Sequence, residues 1–218
     1  MAKALPTGLR ATVCAAALVA AAGSQAAVTL YTSEASFLDA VAGAATDTFD
    51  DLVPGQSYES ALLRSAGDIG YSVASGPGSD LLYGAGSAED AWLSTNLAGD
   101  AITFSDFGTG IGAIGADVFG STIDGAFQRF TSIVVTVTDA SGTFSTTLNR
   151  TTTGTFVGFV SDSLITSFSV AASPGLFRER WPTVDDLILA NPVPEADAGM
   201  MLLAGLGVMA LLVSRRRN

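Results

Sequence analysis

Two runs near the middle of the chain, residues 132–138 and 143–149, alternate with a period of two. Ile133, Val135 and Val137 fall on one face of the first, and Phe144, Thr146 and Leu148 on one face of the second. Successive side chains of a strand point to opposite faces, so this pattern predicts a β-hairpin, with Asp139-Ala140-Ser141-Gly142 as a four-residue loop. Further short strands are expected over residues 28–31, 46–52, 70–75, 101–104, 113–119, 156–160, 164–170 and 184–189. Pro54-Gly55 marks a turn between them, and Gly76-Pro77-Gly78 and Gly84-Ala85-Gly86 mark loops. One short helix precedes most of these strands. Ser33 caps it, Phe37, Leu38 and Val41 share its apolar face, and Gly43 ends it. Many short strands with turn signals at roughly 8 to 12 residue spacing predict an all-β fold, an antiparallel β-sandwich with a jelly-roll-like arrangement.

Composition narrows the chemistry. The chain carries 10 Lys and Arg against 21 Asp and Glu, a formal net charge of −11, with no histidine and a single cysteine, Cys14. Lys3 is the only lysine, and the basic residues of the central part are Arg64, Arg129, Arg150, Arg178 and Arg180. An acidic surface repels phosphate backbones, which argues against nucleic-acid binding. It favours solubility and weak attraction for divalent cations or basic partners. Missing histidine, and missing cysteine and lysine beyond the N-terminal stretch, exclude Ser-His-Asp, Cys-His and Ser-Lys sites, disulfides and thiolate or imidazole metal centres there. Stability must then come from packing, aided at most by a bound cation.

The two ends read differently from the middle. Lys3 and Arg10 precede an apolar stretch over residues 11–23, and Ser24-Gln25-Ala26 supplies small residues where a signal peptidase reads. A signal peptide over residues 1–26 is expected, cut between Ala26 and Ala27. At the other end, Val193-Pro194-Glu195-Ala196-Asp197 is followed by an apolar run over residues 198–213 and then by Arg215, Arg216 and Arg217. A helix over that run is about 24 Å long at roughly 1.5 Å per residue, enough for a thin bilayer. The arginines act as its cytoplasmic stop. Both ends thus keep positive charge inside and send the domain, residues 27–190, across the membrane, with residues 191–218 as its tail.

A Pro-Glu motif, a short apolar helix and an arginine cluster, in that order, resemble the PEP-CTERM sorting signal of exported bacterial proteins. The resemblance covers about the last 26 residues. It departs from the family at one place, where Ala196 stands for the second proline. It implies recognition by an exosortase, a membrane-embedded transpeptidase-like protease, and removal of the tail near Pro194-Glu195. It also implies a Gram-negative setting in which exopolysaccharide or biofilm is made, with delivery to the cell surface or matrix. The Phe37 helix, Phe49-Asp50-Asp51-Leu52, the central hairpin, residues 158–162 and Val184-Asp185-Asp186-Leu187 further resemble the extracellular domain often found ahead of such tails, which is similar to carbohydrate-binding jelly rolls.

Carboxylates are the remaining chemistry. Asp50, Asp51, Glu59, Asp185 and Asp186 are candidates for a glycan-active pair, which would need two carboxylates about 5 to 9 Å apart across a cleft. Acidic residues at strand ends are more commonly just solvated, so a non-catalytic role is expected. The first and last strands of a jelly roll can be neighbours, and by resemblance to structural calcium sites in carbohydrate-binding jelly rolls, Asp51 and Asp185 are the expected ligands of a Ca²⁺ ion. Trp181, flanked by Arg178, Arg180 and Pro182, is the expected sugar-stacking platform, ahead of Trp92. The function expected is a surface or matrix protein, with binding of extracellular polysaccharide or a carboxylate-dependent glycan-active enzyme as alternatives.

Overall fold

The computed structural model describes residues 28–108, 110–129, 131–173 and 179–193. The expected signal peptide with its Ala26-Ala27 junction lies outside the described residues. So do Pro194, Glu195, Ala196, the apolar run, Arg215, Arg216 and Arg217. In chain order the elements are β1 (Val28–Tyr31), α1 (Glu34–Asp39), β2 (Val41–Asp47), β3 (Ser57–Glu59), β4 (Leu62–Ala66), β5 (Ile69–Gly76), β6 (Leu81–Gly86) and β7 (Ala91–Thr95). There follow β8 (Ala101–Ser105), β9 (Ile111–Ser121), β10 (Ile133–Asp139), β11 (Gly142–Leu148), β12 (Phe156–Ala172) and β13 (Trp181–Pro192).

Every strand pairing is antiparallel, and the pairings sort into two layers joined by β12. The first layer runs β3-β6-β7-β13-β9 and then the start of β12, with β1 beside β12 and β2 beside the end of β13. The second layer runs β4-β5-β8, then the end of β12, then β10 and β11. Phe156–Val160 therefore belong to one layer and Ser167–Ala172 to the other, in a single 17-residue strand. Between the layers lies one core. Leu82, Leu93, Ile114, Val118, Val184 and Leu187 from the first meet Val73, Ile102, Phe104, Ile133, Val135, Phe168 and Val170 from the second. This is the expected all-β sandwich, jelly-roll-like in that the last two strands return to the middle of the sheet.

The hairpin pairs as its alternation demands, Val137 opposite Phe144 and Val135 opposite Thr146. Its loop is shorter than four residues, because Asp139 and Gly142 pair and only Ala140-Ser141 turn. The Asp139 carboxylate makes this possible by accepting from the amides of Ser141 and Gly142 at 2.7 and 3.0 Å. The expected strand over residues 46–52 stops at Asp47. There the Asp47 carboxylate accepts the Phe49 amide at 3.1 Å, and Phe49 turns the chain at φ 57° while burying its ring. The helix ends at Asp39 instead of Gly43, since Val41 is already opposite Pro192 in the β2–β13 ladder; Leu38 is left exposed. Gly84-Ala85-Gly86, expected as a loop, is the second half of β6. Glycine is needed at Gly84 because a Cβ there would collide with the Val53 carbonyl oxygen.

The first layer is covered on its outer side. Phe37 of α1, fully buried, lies over Gly115 and Gly158, where a Cβ on Gly158 would sit 2.6 Å from the Phe37 ring. Phe37, Phe156, Ala113, Ile188 and Ala190 form a second small core there. A third joins Trp92, Phe119 and Ala85, with the Trp92 and Phe119 rings edge-to-face at 4.8 Å. Among the described residues no helix is long and apolar enough to cross a membrane.

Candidate functional sites on the two outer faces

Between the two satellite cores of the first layer lies an acidic notch. Asp117 is the single charged residue of β9, and its register partner in β13 is Asp185. The ladder then bulges between Asp185 and Ile188, with Asp186 at φ 47° and its amide donating to the Asp185 carboxylate at 2.9 Å. Burial, followed by the charges of Asp186 and Glu34, pushes Asp117 up to about 6. Burial, then chiefly Asp186, with smaller contributions from Asp90 and Asp117, pushes Asp185 up to about 7. Asp186 is raised as well, by burial and then by Glu34, Asp50 and Asp90. Burial first, and then the neighbouring carboxylates, disfavour the charged forms of these groups.

Of the two early aspartates, it is Asp50 that faces this notch. Its carboxylate accepts the Ala91 amide at 3.4 Å and acts on Asp186. Asp51, the expected calcium ligand, is 72% exposed and ion-paired to Arg64 at 2.6 Å, whose hydrogen bond holds its carboxyl below the usual range. The structure thus gives Asp51 an arginine and Asp185 a set of other carboxylates. The sequence reading missed Asp117, although one aspartate in the otherwise uncharged strand Ile-Gly-Ala-Ile-Gly-Ala-Asp-Val-Phe-Gly-Ser is a legible anomaly. Among the described residues, no group of three or more His, Cys, Asp or Glu is arranged to hold a metal ion.

Arg64 is a structural lock. It grips Asp47 through Nε and Nη2 at 2.8 and 2.7 Å, Asp47 also accepts from the Tyr71 hydroxyl at 2.6 Å, and the guanidinium lies 5.0 Å from the Phe49 ring centre. The two tryptophans are structural too. Trp181 is 8% exposed with its indole donating to the Asn96 carbonyl, and Trp92 is 9% exposed with its indole donating to Asp90. A stacking platform needs an open ring face, which Trp181 does not present. Arg180 is half-buried before Trp181; Arg178 lies outside the described residues.

The second layer is built the other way. Residues opposite each other in a ladder share a face, so the registers give the outward rows directly. One row is Ser145, Thr136, Ser169, Thr103 and Ala74; the next is Thr143, Thr138, Ser167, Ser105, Ser72 and Leu63. A third carries Thr147, Val134, Ala171, Ala101 and Gly76. No outward residue of these rows is charged. Neighbouring hydroxyls meet across the strands, Thr136 with Ser145 at 3.0 Å, Thr138 with Thr143 at 3.1 Å and Thr103 with Ser169 at 3.3 Å. Six strands at about 4.8 Å spacing make this face about 24 Å wide.

Two hollows accompany these faces. A groove of about 590 Å³ is lined by Thr29, Tyr31, Ala40, Val160, Asp162, Pro192 and Val193. It lies where the first and last described strands end, and Val193, the first residue of the expected sorting motif, donates its amide to the Ala40 carbonyl there at 3.1 Å. A smaller pocket of about 270 Å³ is lined by Phe127, Arg129, Arg150, Thr151 and Thr152.

No protein-family model matches the chain, and no curated protein matches it. Among solved structures, it is similar to the CBM51 module from Clostridium perfringens GH95 in complex with methyl-galactose, at 14% identity and TM-score 0.33, over 66% of this chain and 99% of that one. It is also similar to TmCBM61 in complex with β-1,4-galactotriose, at 13% identity and TM-score 0.30, over 55% and 88% of the two chains. A third similarity is to the M60 catalytic domain with two CBM51 domains from Clostridium perfringens ZmpB, at 12% identity and TM-score 0.31. That one spans 68% of this chain and 15% of the other.

Proposed function

We propose that this chain is an exported, non-catalytic β-sandwich of the bacterial surface or extracellular matrix, which holds neutral polysaccharide against the hydroxyl face of its second layer. The observation that carries the reading is the absence of charge from the outward rows of six strands, in a chain whose formal net charge is −11. A solvated face of so acidic a protein has no need to be neutral. A face that lies against an uncharged polymer does, because each buried charge would cost several kcal/mol of desolvation, on the order of the whole affinity of a weak module. Each serine or threonine hydroxyl offers one donor and two acceptor sites, so one cross-strand bond leaves capacity for a sugar hydroxyl.

In this reading the residues past Val193 deliver the domain and do not act in it. The motif Pro194-Glu195-Ala196 is handed to an exosortase, and Arg215, Arg216 and Arg217 hold the tail until it is cut. Binding is tested by depletion of the full chain from solution by insoluble cellulose and by an insoluble neutral galactan. Depletion by at least one of them is expected, and its loss in a Thr103→Glu, Thr136→Glu, Ser169→Glu variant that unfolds at the same temperature. Equal depletion of that variant, or none of the wild type, refutes the binding face. Delivery is tested separately, by intact mass of the protein from host cells with and without exosortase. A product ending near Glu195 only when the enzyme is present supports it, and a chain running through Arg217 in both strains overturns it.

A further inference from the structure

From the pocket of Phe127, Arg129, Arg150, Thr151 and Thr152 we infer a second sugar site, one that takes a carboxylated pyranose, a uronic acid residue, with its carboxylate at Arg129 and its ring on Phe127. The pocket is independent of the hydroxyl face. It is formed by the 127–129 segment and by residues 150–152, beyond the end of β11.

Three features of the pocket lead to this ligand. The first is the use of scarce charge. The central part of the chain has five basic residues, and two of them, Arg129 and Arg150, line this one hollow, with no Asp or Glu among its described lining residues. Guanidinium groups present planar donor forks that match a carboxylate, and Arg129 is exposed. The second is the ring beside them. Phe127 is half-buried, edge-to-face on Phe119 at 6.0 Å, so one part of it is fixed by the Trp92 cluster while another part lines the pocket. A small inorganic anion needs no such surface, whereas the apolar face of a pyranose does.

The third is rigidity. Thr131, fully buried against Gly120, ties the two walls together: its hydroxyl donates to the Gln128 carbonyl at 2.9 Å, and its own carbonyl accepts from the amide and hydroxyl of Thr151 at 3.0 and 3.1 Å. The walls also hold at their far sides, where Phe127 bridges to Ser121 and the Thr152 amide donates to the Thr155 hydroxyl at 2.7 Å. A pocket held in this way before the ligand arrives loses little ordering entropy on binding. Its volume of about 270 Å³ suits one sugar ring and is small for a longer segment.

The test is calorimetric titration of the full chain with trigalacturonate, with the neutral galactotriose and with inorganic phosphate, at two salt concentrations. Trigalacturonate is expected to bind, more weakly at the higher salt, and at least about tenfold more tightly than the other two. Arg129→Gln and Phe127→Leu are each expected to weaken it by about tenfold while the unfolding temperature of Arg129→Gln stays that of the wild type. Three results overturn the site: no heat with trigalacturonate, equal affinity for phosphate with no effect of Phe127→Leu, or unchanged affinity in Arg129→Gln. The variant charged at Thr103, Thr136 and Ser169 should keep its trigalacturonate affinity, so failure of the neutral-polymer reading and failure of this one are told apart.

Discussion

On the first layer the outward positions of β9 and β13 carry Ala113, Gly115, Asp117 and Phe119 opposite Ala190, Ile188, Asp185 and Thr183. Two satellite cores cover most of them and leave the carboxylates in the gap. On the second layer the corresponding positions of β10, β12 and β8 carry Thr, Ser, Val and Ala in rows, half-buried by their neighbours and open above. One face is a second interior with charges caught at its seam. The other is a surface from which charge is absent. The contrast shows that the acidity of the chain is not spread evenly as a solvating coat; part of it is concentrated where it costs stability, and none of it stands where the hydroxyl rows are.

The largest expected effect comes from stripping the covered face. Phe37→Ala removes a fully buried ring packed on Phe156, Gly115 and Gly158, and should lower unfolding stability by about 3 to 5 kcal/mol in urea titration. Thr136→Ala on the open face should change it by about 0.5 kcal/mol or less. Similar losses for the two would mean that α1 is a loosely laid cover and that the first layer has no second interior.

A smaller effect with a definite sign belongs to the seam. Asp117 and Asp185 have folded pKa values near 6 and 7, above the ordinary 3.8, so between about pH 4 and 7 the folded state holds protons that the unfolded state has lost. Their contribution is fully present below pH 4 and is lost as the pH rises towards 7. Asp51 acts with the opposite sign, since Arg64 lowers its carboxyl: that contribution is present above 3.8 and is lost as the pH falls through its folded value. Asp185→Asn keeps an oxygen for the Asp186 amide and should raise stability by about 1 kcal/mol at pH 8, after allowing for solvent screening at a half-buried group, with little change at pH 4. Thermal unfolding at the two pH values measures it. Equal gains at both would show that the substitution acts through packing and not through charge.

Legibility in the sequence divides along the same line. The hairpin was readable because period-two alternation fixes which of its residues share a face, whereas the hydroxyl rows needed the registers of strands far apart in the chain. The covered face was not readable, because β9 and β13 are buried on both sides over most of their length and carry no regular alternation. The single strand β12 was read as two, since the polar run Ser161-Asp162-Ser163, where it passes between layers, breaks its apolar pattern. Phe37 was readable as apolar but its seat was not, as Gly115 and Gly158 come from strands far apart in the chain. Asp51 was read from a resemblance to structural calcium sites, and Trp181 from its flanking Arg178, Arg180 and Pro182. What fixes them instead is Arg64, 13 residues on, and the carbonyl of Asn96, 85 residues back.

The smallest expected effect decides what the open face is for. The Thr138 and Thr143 hydroxyls meet at 3.1 Å across β10 and β11, and such pairs couple by about 0.2 to 1 kcal/mol in an antiparallel ladder. Valine keeps the branched shape and the strand preference of threonine while removing the hydroxyl. A double-mutant cycle over Thr138→Val and Thr143→Val, read by urea unfolding, should therefore give a coupling near the lower end of that range, about 0.3 kcal/mol, because water competes for both hydroxyls. A coupling well above about 1 kcal/mol would make the rows part of the scaffold, each hydroxyl held by its neighbour and none spare for a ligand. A small coupling leaves the sheet indifferent to hydroxyls that five strands nonetheless align, and the reason for their alignment then has to lie outside the sandwich.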